Sequence, residues 1–127
     1  MQGRNIVLVV DNDAGVLAAI ERLLRARAYK PILFSSAEAF RNHTDFGGAL
    51  CVILDIDLGD GSGIELRPGL NAAGVSVLVI YMIGNDSPAV REAALGSGCV
   101  AFLSKPFSLH ALIEALNRAC QKISSSE

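Results

Sequence analysis

The sequence has no tryptophan, few aromatic residues and little charge. Of its 127 residues, 6% are aromatic and 19% are charged, whereas 51% are hydrophobic and the mean hydropathy is +0.42. This composition is too apolar for a disordered chain. The length corresponds to one ordinary domain. So much apolar sequence in one small domain indicates elements that are buried on more than one side.

Long hydrophobic runs are also missing. The longest, residues 77–83, is far below the ~18 residues that a bilayer helix needs. No signal-peptide pattern opens the sequence, because residues 1–5 lead directly into a short apolar run that Asp11 ends. We therefore expect a cytoplasmic protein without a membrane span.

Cysteines and histidines are few and scattered. Cys51, Cys99 and Cys120 form an odd set without C-x-x-C spacing, and neither histidine lies near them in sequence. The pattern supports neither a zinc site nor a disulfide framework, and Cys51 and Cys120 read as small buried hydrophobes. The net charge is −2 and the basic residues stand singly. Without a basic stripe, we expect no direct nucleic-acid binding.

Short apolar runs recur along the chain, each about as long as a β-strand. They are rich in Val, Ile and Leu and mostly do not alternate with polar residues, which is typical of strands covered on both faces. The runs are residues 6–10, 31–34, 49–54, 75–82 and 100–103. Such runs account for the apolar composition.

Segments with helical spacing of apolar residues lie between and after these runs. They are residues 16–24, 36–43, 62–73, 87–95 and 109–120, with Ser36 and Ser87 as N-caps. The alternation predicts an α/β fold: a three-layer αβα sandwich around a doubly wound, five-stranded parallel sheet. We assign residues 1–123 to this single domain and residues 124–127 to a solvated tail or the start of a linker.

Ligands of such sheets collect at the carboxyl ends of the strands. Asp11 follows the first run, Asp55 the third and Lys105 the fifth, whereas Asp13 reads as a helix cap. Two carboxylates held close together need a cation, and Mg²⁺ prefers oxygen ligands. Asp55 is the candidate nucleophile for a phosphoryl group, whose charge Mg²⁺ and Lys105 would offset.

Over residues 5–123, the sequence resembles the receiver domain of two-component response regulators. Residues 9–11 resemble the acidic opening of that family, residues 54–58 with 61–63 its phosphoacceptor loop, and residues 105–107 its invariant-lysine motif. The resemblance implies a flavodoxin-like fold with strand order 2-1-3-4-5. It also implies a phosphoacceptor signalling domain in a phosphorelay, and not an enzyme.

The resemblance further implies roles for individual residues. Asp55 would be phosphorylated by a histidine kinase or phosphotransfer protein, with Lys105 contacting the phosphoryl group. Mg²⁺ would be held by Asp11, Asp55 and the backbone carbonyl of Asp57. The bond from Lys105 to Pro106 would be cis, and Phe102 stands where the family keeps a rotating aromatic switch.

Three departures from the family pattern stand out. Asn12 replaces a second acid, and this neutral oxygen ligand would weaken Mg²⁺ binding. Ile83 stands where the family has the hydroxyl of Thr or Ser, and isoleucine has no hydrogen to donate. Gly59 replaces a proline, and Pro68 interrupts the third helical segment, which we expect to be kinked or to start late.

Other interpretations use the same residues. A receiver that no longer uses phosphorylation would act as a protein-binding module, as Asn12 and Ile83 suggest. The sequence D-x-D at residues 55–57 also resembles the start of haloacid-dehalogenase-type phosphatases, although that motif should follow the first strand. A calcium loop fits poorly, because Leu66 stands where a bidentate Glu belongs.

The output of such a domain would leave through a protein surface. By family analogy, this surface combines the fourth helical segment, the fifth strand and the fifth helical segment, and it would bind a downstream protein or a second copy of the chain. Its residues would be Val90, Arg91, Ala94, Ser104, His110, Glu114 and Arg118.

Overall fold

The computed structural model of the chain describes residues 5–43, 48–59, 63–64, 77–84, 88–96 and 98–125. Within them, five strands and four helices follow one another. In chain order they are β1 (Ile6–Val10), α1 (Ala14–Ala26), β2 (Lys30–Phe34), α2 (Ala37–Arg41), β3 (Ala49–Asp55), β4 (Leu78–Ile83), α3 (Pro88–Gly96), β5 (Ala101–Ser104) and α4 (Leu109–Ser125).

All five strands form one parallel sheet in the order β2-β1-β3-β4-β5. This confirms the α/β fold and the strand order that the resemblance implies. In the register of the sheet, Val10 pairs with Leu54, Leu54 with Tyr81, and Tyr81 with Phe102. The carboxyl ends of β1, β3, β4 and β5 therefore lie along one edge.

Apolar side chains cover both faces of the sheet. Along β1, Val7 and Val9 point into one core cluster, whereas Leu8 and Val10 point into the other. The first cluster packs against α1 and α4, for example through Ile20. The second packs against α2 and α3 through Phe40 and Ala94. The sheet is thus buried on both sides, which explains the high mean hydropathy.

Side-chain caps fix the starts of the first two helices. The Asp13 carboxylate accepts hydrogen bonds from the backbone N–H groups of Gly15 at 2.8 Å and Val16 at 3.3 Å, so Asp13 caps α1 as expected. Ser36 caps α2 by accepting from the N–H of Ala39 at 3.0 Å. The predicted cap Ser87 lies outside the described residues.

Several boundaries differ from the sequence-based expectations. The strand β3 includes Asp55, β4 begins at Leu78, and β5 runs one residue later than the apolar run. The helix α4 continues to Ser125, two residues into the expected tail. Of the third helical segment, only Gly63 and Ile64 are described, and both are helical. Its interruption at Pro68 therefore lies outside the described residues.

The three cysteines are free, but they are not equally buried. Cys51 lies fully inside the first core cluster, as expected. Cys120 is partly buried against the same cluster, and its Sγ lies 3.6 Å from the Tyr29 hydroxyl. No helix in the described ranges is long and apolar enough to cross a membrane.

Candidate functional site

Asp11 lies directly beyond the carboxyl end of β1, and its side chain is fully buried. Its backbone adds one further hydrogen bond between β1 and β2, because the Asp11 N–H donates to the carbonyl of Phe34 at 3.1 Å. The carboxylate is 0% exposed, and its Oδ1 accepts a hydrogen bond from the N–H of Asp13 at 2.8 Å. Asp11 is therefore a buried charge held by the backbone that leads into α1.

Asp55 is the last residue of β3 and lies on the same edge. It is 4% exposed, and its Oδ1 accepts from the N–H of Asp57 at 3.2 Å. In the sheet, Asp55 pairs with Met82 of β4. Since Asp55 is paired within the sheet, its backbone position at the carboxyl edge is set by the strands.

Lys105 brings a positive charge between these two carboxylates. Its Nζ lies 2.7 Å from Asp11 Oδ2 and 3.3 Å from Asp55 Oδ2. Lys105 directly follows β5, and its N–H donates to the carbonyl of Ile83 at 2.8 Å. The bond from Lys105 to Pro106 is cis, in agreement with the sequence-based expectation.

Burial and charge shift two of these groups. The pKa of Asp55 is raised, first because burial disfavours its charged form and second because Asp11 is negative, although Lys105 opposes both effects. Burial lowers the pKa of Lys105, but its hydrogen bond to Asp11 and the charge of Asp55 outweigh this effect, and the net pKa is raised. The lysine therefore stays protonated between the two carboxylates.

The segment after β3 approaches the backbone of Asp55 very closely. The N–H of Gly63 donates to the carbonyl of Ile56 at 2.8 Å. A Cβ at residue 63 would lie 2.2 Å from the carbonyl oxygen of Asp55, so only glycine fits there without a backbone shift. The motif at residues 61–63 predicted a loop, but it gave no sign of this contact.

Two departures from the family pattern, Gly59 and Asn12, lie next to each other at the loop that follows β3. Gly59 has a φ of +82°, which a proline cannot adopt. Its N–H donates to Asp57 Oδ1 at 3.3 Å, and a Cβ at this residue would lie 3.4 Å from Asn12 Nδ2. Asn12, which is exposed, thus lies beside Gly59. Asp60 and Gly61 lie outside the described residues.

The last described residues of β4 carry largely apolar side chains. Ile83 is the last residue of β4 and is 2% exposed, and Tyr81 is 0% exposed on the same face of the sheet. Phe102, the partner of Tyr81 on β5, is partly buried against these residues. The guanidinium carbon of Arg91 lies 5.0 Å from the centre of the Phe102 ring, a contact that sequence reasoning missed.

The buried carboxylates suit a hard divalent cation. Asp11 and Asp55 carry two negative charges against one ammonium, which leaves a net negative charge among oxygen donors. The described part of the chain gathers no group of three or more His, Cys, Asp or Glu side chains that could hold a metal. Any metal shell there would therefore combine these two side chains with uncharged oxygens, such as the backbone carbonyl of Asp57, and water.

Comparisons with known proteins place the chain among response regulators. In sequence, the chain is 29% identical over 115 residues to the response regulator protein TodT of Pseudomonas putida, which covers 91% of the chain and 51% of TodT. It is 34% identical over 113 residues to the transcriptional regulatory protein FixJ of Azorhizobium caulinodans, covering 87% and 52%. The chain thus spans about half the length of the curated relatives it matches.

Solved structures agree as well. A response regulator receiver protein from Pseudoalteromonas atlantica superposes with a TM-score of 0.85 at 26% identity, covering 93% of this chain and 98% of that one. The crystal structure of FixJ-N gives a TM-score of 0.81 at 27% identity, covering 95% and 96%. The family model described as the response regulator receiver domain matches residues 7–117. The chain therefore belongs to the receiver domain family of two-component response regulators.

Proposed function

We propose that this receiver domain accepts a phosphoryl group on Asp55 from a histidine kinase or a phosphotransfer protein. Phosphorylation on aspartate is typical of the family. The observation that supports Asp55 as the acceptor is its position at the end of β3, with Lys105 Nζ 3.3 Å from one carboxylate oxygen. Asp11, in contrast, is fully buried and holds the lysine at 2.7 Å.

In the proposed step, an ionised oxygen of Asp55 attacks the phosphorus of a phosphohistidine. A P–O bond forms as the P–N bond breaks, and the electron pair of that bond returns to the imidazole. The Asp55 carboxylate is already oriented by the N–H of Asp57 and by Lys105. Lys105 can then donate to the transferred phosphoryl oxygens while Asp11 keeps its ammonium in place.

Receiver domains typically bind Mg²⁺ at the phosphorylation site. We propose that Asp11, Asp55 and the carbonyl of Asp57 would hold it here, and that Asn12 adds a neutral ligand or none. When bound, Mg²⁺ supplies positive charge to the phosphoryl oxygens. Because Asn12 brings no charge, we expect weak Mg²⁺ binding, and Asn12→Asp should strengthen it several-fold in a calorimetric titration with Mg²⁺ alone.

The phosphatase alternative receives less support from the surroundings of the site. The cleft beside Lys105 has a volume of about 390 Å³ and lies between α1 and α4. Its walls are apolar, with Val16, Ile20, Phe107 and Leu112 among them. Lys105, the charged residue that reaches this cleft, already binds two carboxylates. The cleft therefore offers little to position a small polar phosphomonoester.

A second candidate function is supported by Ile83. This buried side chain ends β4 without a hydroxyl, so a phosphoryl group on Asp55 would find no side-chain donor there. The domain could then bind a downstream protein or a second copy without using phosphorylation. In either case, we propose that the surface formed by α3, β5 and α4 makes the contact.

Acetyl phosphate with Mg²⁺ tests the main proposal. We expect one phosphoryl adduct by intact mass and by Phos-tag electrophoresis, absent in Asp55→Ala. The control is Glu92→Ala, which removes an exposed carboxylate from α3. If the wild type forms no adduct that Asp55→Ala abolishes and also binds no Mg²⁺, the proposal fails and the phosphorylation-independent module is favoured.

A further inference from the structure

The aromatic ring of Phe102 has neighbours on two sides. On the sheet, Phe102 pairs with Tyr81, and both side chains belong to the core face that also contains Ile83. Tyr81 and Ile83 are 0% and 2% exposed, and Phe102 packs against the core cluster that contains them. Phe102 itself is only partly buried, so part of the residue faces outward from this cluster.

Arg91 contacts the Phe102 ring from a different element. It lies on α3, and its guanidinium carbon stands 5.0 Å from the ring centre. A cation over a ring face is attracted by the electrons of the ring, and the arginine stem can cover apolar surface. Since Ala94 buries α3 against the same face of the sheet, Arg91 is held close to β5 by packing as well as by this attraction.

The end of β4 gives a phosphoryl group little means to move this ring. A bound group shifts a conformational equilibrium only if it interacts differently with the two states. Ile83 offers no side-chain hydrogen bond to a phosphoryl group on Asp55. The N–H of Lys105 donates to the carbonyl of Ile83 at 2.8 Å, which ties the end of β4 to the residue after β5.

We propose that Arg91 holds Phe102 in one side-chain rotamer whatever the phosphorylation state of Asp55, so that α3 and β5 present a constant surface. This proposal rests on the proposed function only in taking Asp55 as the site whose state is varied. A partner that binds this surface would accordingly meet the same aromatic and cationic pair before and after phosphoryl transfer.

Nuclear magnetic resonance of the whole chain can measure the Phe102 rotamer from three-bond couplings. Acetyl phosphate or beryllofluoride with Mg²⁺ would modify Asp55, and the N–H of Asp57, which donates to that carboxylate, would report the modification. In the wild type, we expect the Asp57 resonance to shift while the Phe102 rotamer stays unchanged. A change of the Phe102 rotamer together with that shift would overturn the proposal.

A second measurement needs no phosphoryl donor. Arg91→Met keeps much of the side chain but removes the cation, and it should change the ratio of Phe102 rotamers about two- to five-fold, the range expected for an exposed cation–π contact. Arg22→Met, an exposed substitution on α1, is the matched control and should leave the ratio unchanged. An unchanged ratio in Arg91→Met would show that Arg91 does not hold the ring.

These two measurements separate the proposals. If Asp55 forms no adduct, the proposed function fails, but the rotamer ratio in Arg91→Met still decides whether Arg91 fixes the ring. If the adduct forms and Phe102 moves, the function stands and the constant surface is excluded. Ile83→Thr extends the test, because a hydroxyl at the end of β4 should make the Phe102 rotamer respond to modification of Asp55.

Discussion

Asp11, Asp55 and Lys105 fill one half of the carboxyl edge with buried charge, whereas Ile83, Tyr81 and Phe102 fill the other half with apolar and aromatic side chains. In the first half, ionic contacts of 2.7 and 3.3 Å join residues from the ends of three strands. In the second, the contacts are core packing and one arginine over a ring. The two halves belong to one sheet, but ionic contacts dominate the first and apolar packing dominates the second.

The difference separates two tasks of a receiver domain. Accepting a phosphoryl group needs a nucleophile and positive charge, and the first half has both. Passing the event to a distant surface needs a group that binds the phosphoryl oxygens differently in two conformations. At the end of β4, Ile83 has no side-chain hydrogen to donate to these oxygens. One task can therefore persist while the other is weakened.

The largest expected effect comes from removing the cation of the first half. Lys105→Met leaves Asp11 and Asp55 buried without their partner, so we expect the free energy of unfolding to fall by about 3–5 kcal/mol near neutral pH. The loss should shrink as acid protonates Asp55, whose pKa is raised in the folded chain. Urea denaturation followed by circular dichroism suits this chain, which has no tryptophan. The exposed Lys30→Met is the control; an equal loss in both variants would contradict a stabilising ionic cluster.

A smaller effect is expected where the loop touches β3. Gly63→Ala places a methyl group 2.2 Å from the carbonyl oxygen of Asp55, so the backbone must move. We expect a loss of about 3 kcal/mol, at the upper end for overpacking, and slower phosphoryl transfer to Asp55. Gly84→Ala lies at the edge of the other half with no atom within 4 Å of the added Cβ, and it should be nearly neutral. Similar losses in both variants would mean that the close approach is not the cause.

The sequence alone predicted that Asp11, Asp55 and Lys105 lie together, because their positions follow from the topology of the sheet. Apolar runs predicted strands that are buried on both faces, and parallel strands bring Asp11, Asp55 and Lys105 to one edge. The resemblance added the strand order and the cis bond before Pro106, and both agree with the structure. Several boundaries of strands and helices differ from the expected ones; β3, for example, includes Asp55.

The remaining features depend on how separate elements meet, which local patterns do not encode. Arg91 reaches Phe102 because of the offset between α3 and β5, and the Tyr29 hydroxyl reaches Cys120, which lies 91 residues away. The approach of Gly63 to Asp55 depends on the path of a loop. A glycine in the sequence signals a possible turn or a close contact, but it does not say with which atoms.

A hydroxyl at the end of β4 would reduce the contrast between the halves. Ile83→Thr should destabilise the unphosphorylated domain by about 1 kcal/mol more than Ile83→Val, since the two side chains have similar shapes and only threonine buries a hydroxyl. After modification of Asp55, the difference in stability between the two variants should become smaller or change sign, because the threonine hydroxyl can donate to the phosphoryl group. Unfolding midpoints with and without beryllofluoride and Mg²⁺ measure both differences. If the difference between Thr and Val does not change, the end of β4 does not contact the phosphoryl group.

The smallest effect is expected from removing the charge of Asp55, because Lys105 already offsets part of the energetic cost of burying that charge. The pKa of Asp55 is raised in the folded chain, so ionisation of this group disfavours the folded state. Its contribution is most favourable below the unfolded pKa of about 4 and is lost as the pH rises through the folded pKa. In metal-free buffer, Asp55→Asn should therefore be more stable than the wild type near neutral pH, and the gap should close as the solution is acidified. Urea denaturation at several pH values across this range measures the gap. If the wild type is instead more stable than Asp55→Asn near neutral pH, the attraction between Lys105 and Asp55 exceeds the cost of burying the Asp55 charge. The ion pairs of this half of the edge would then stabilise the fold.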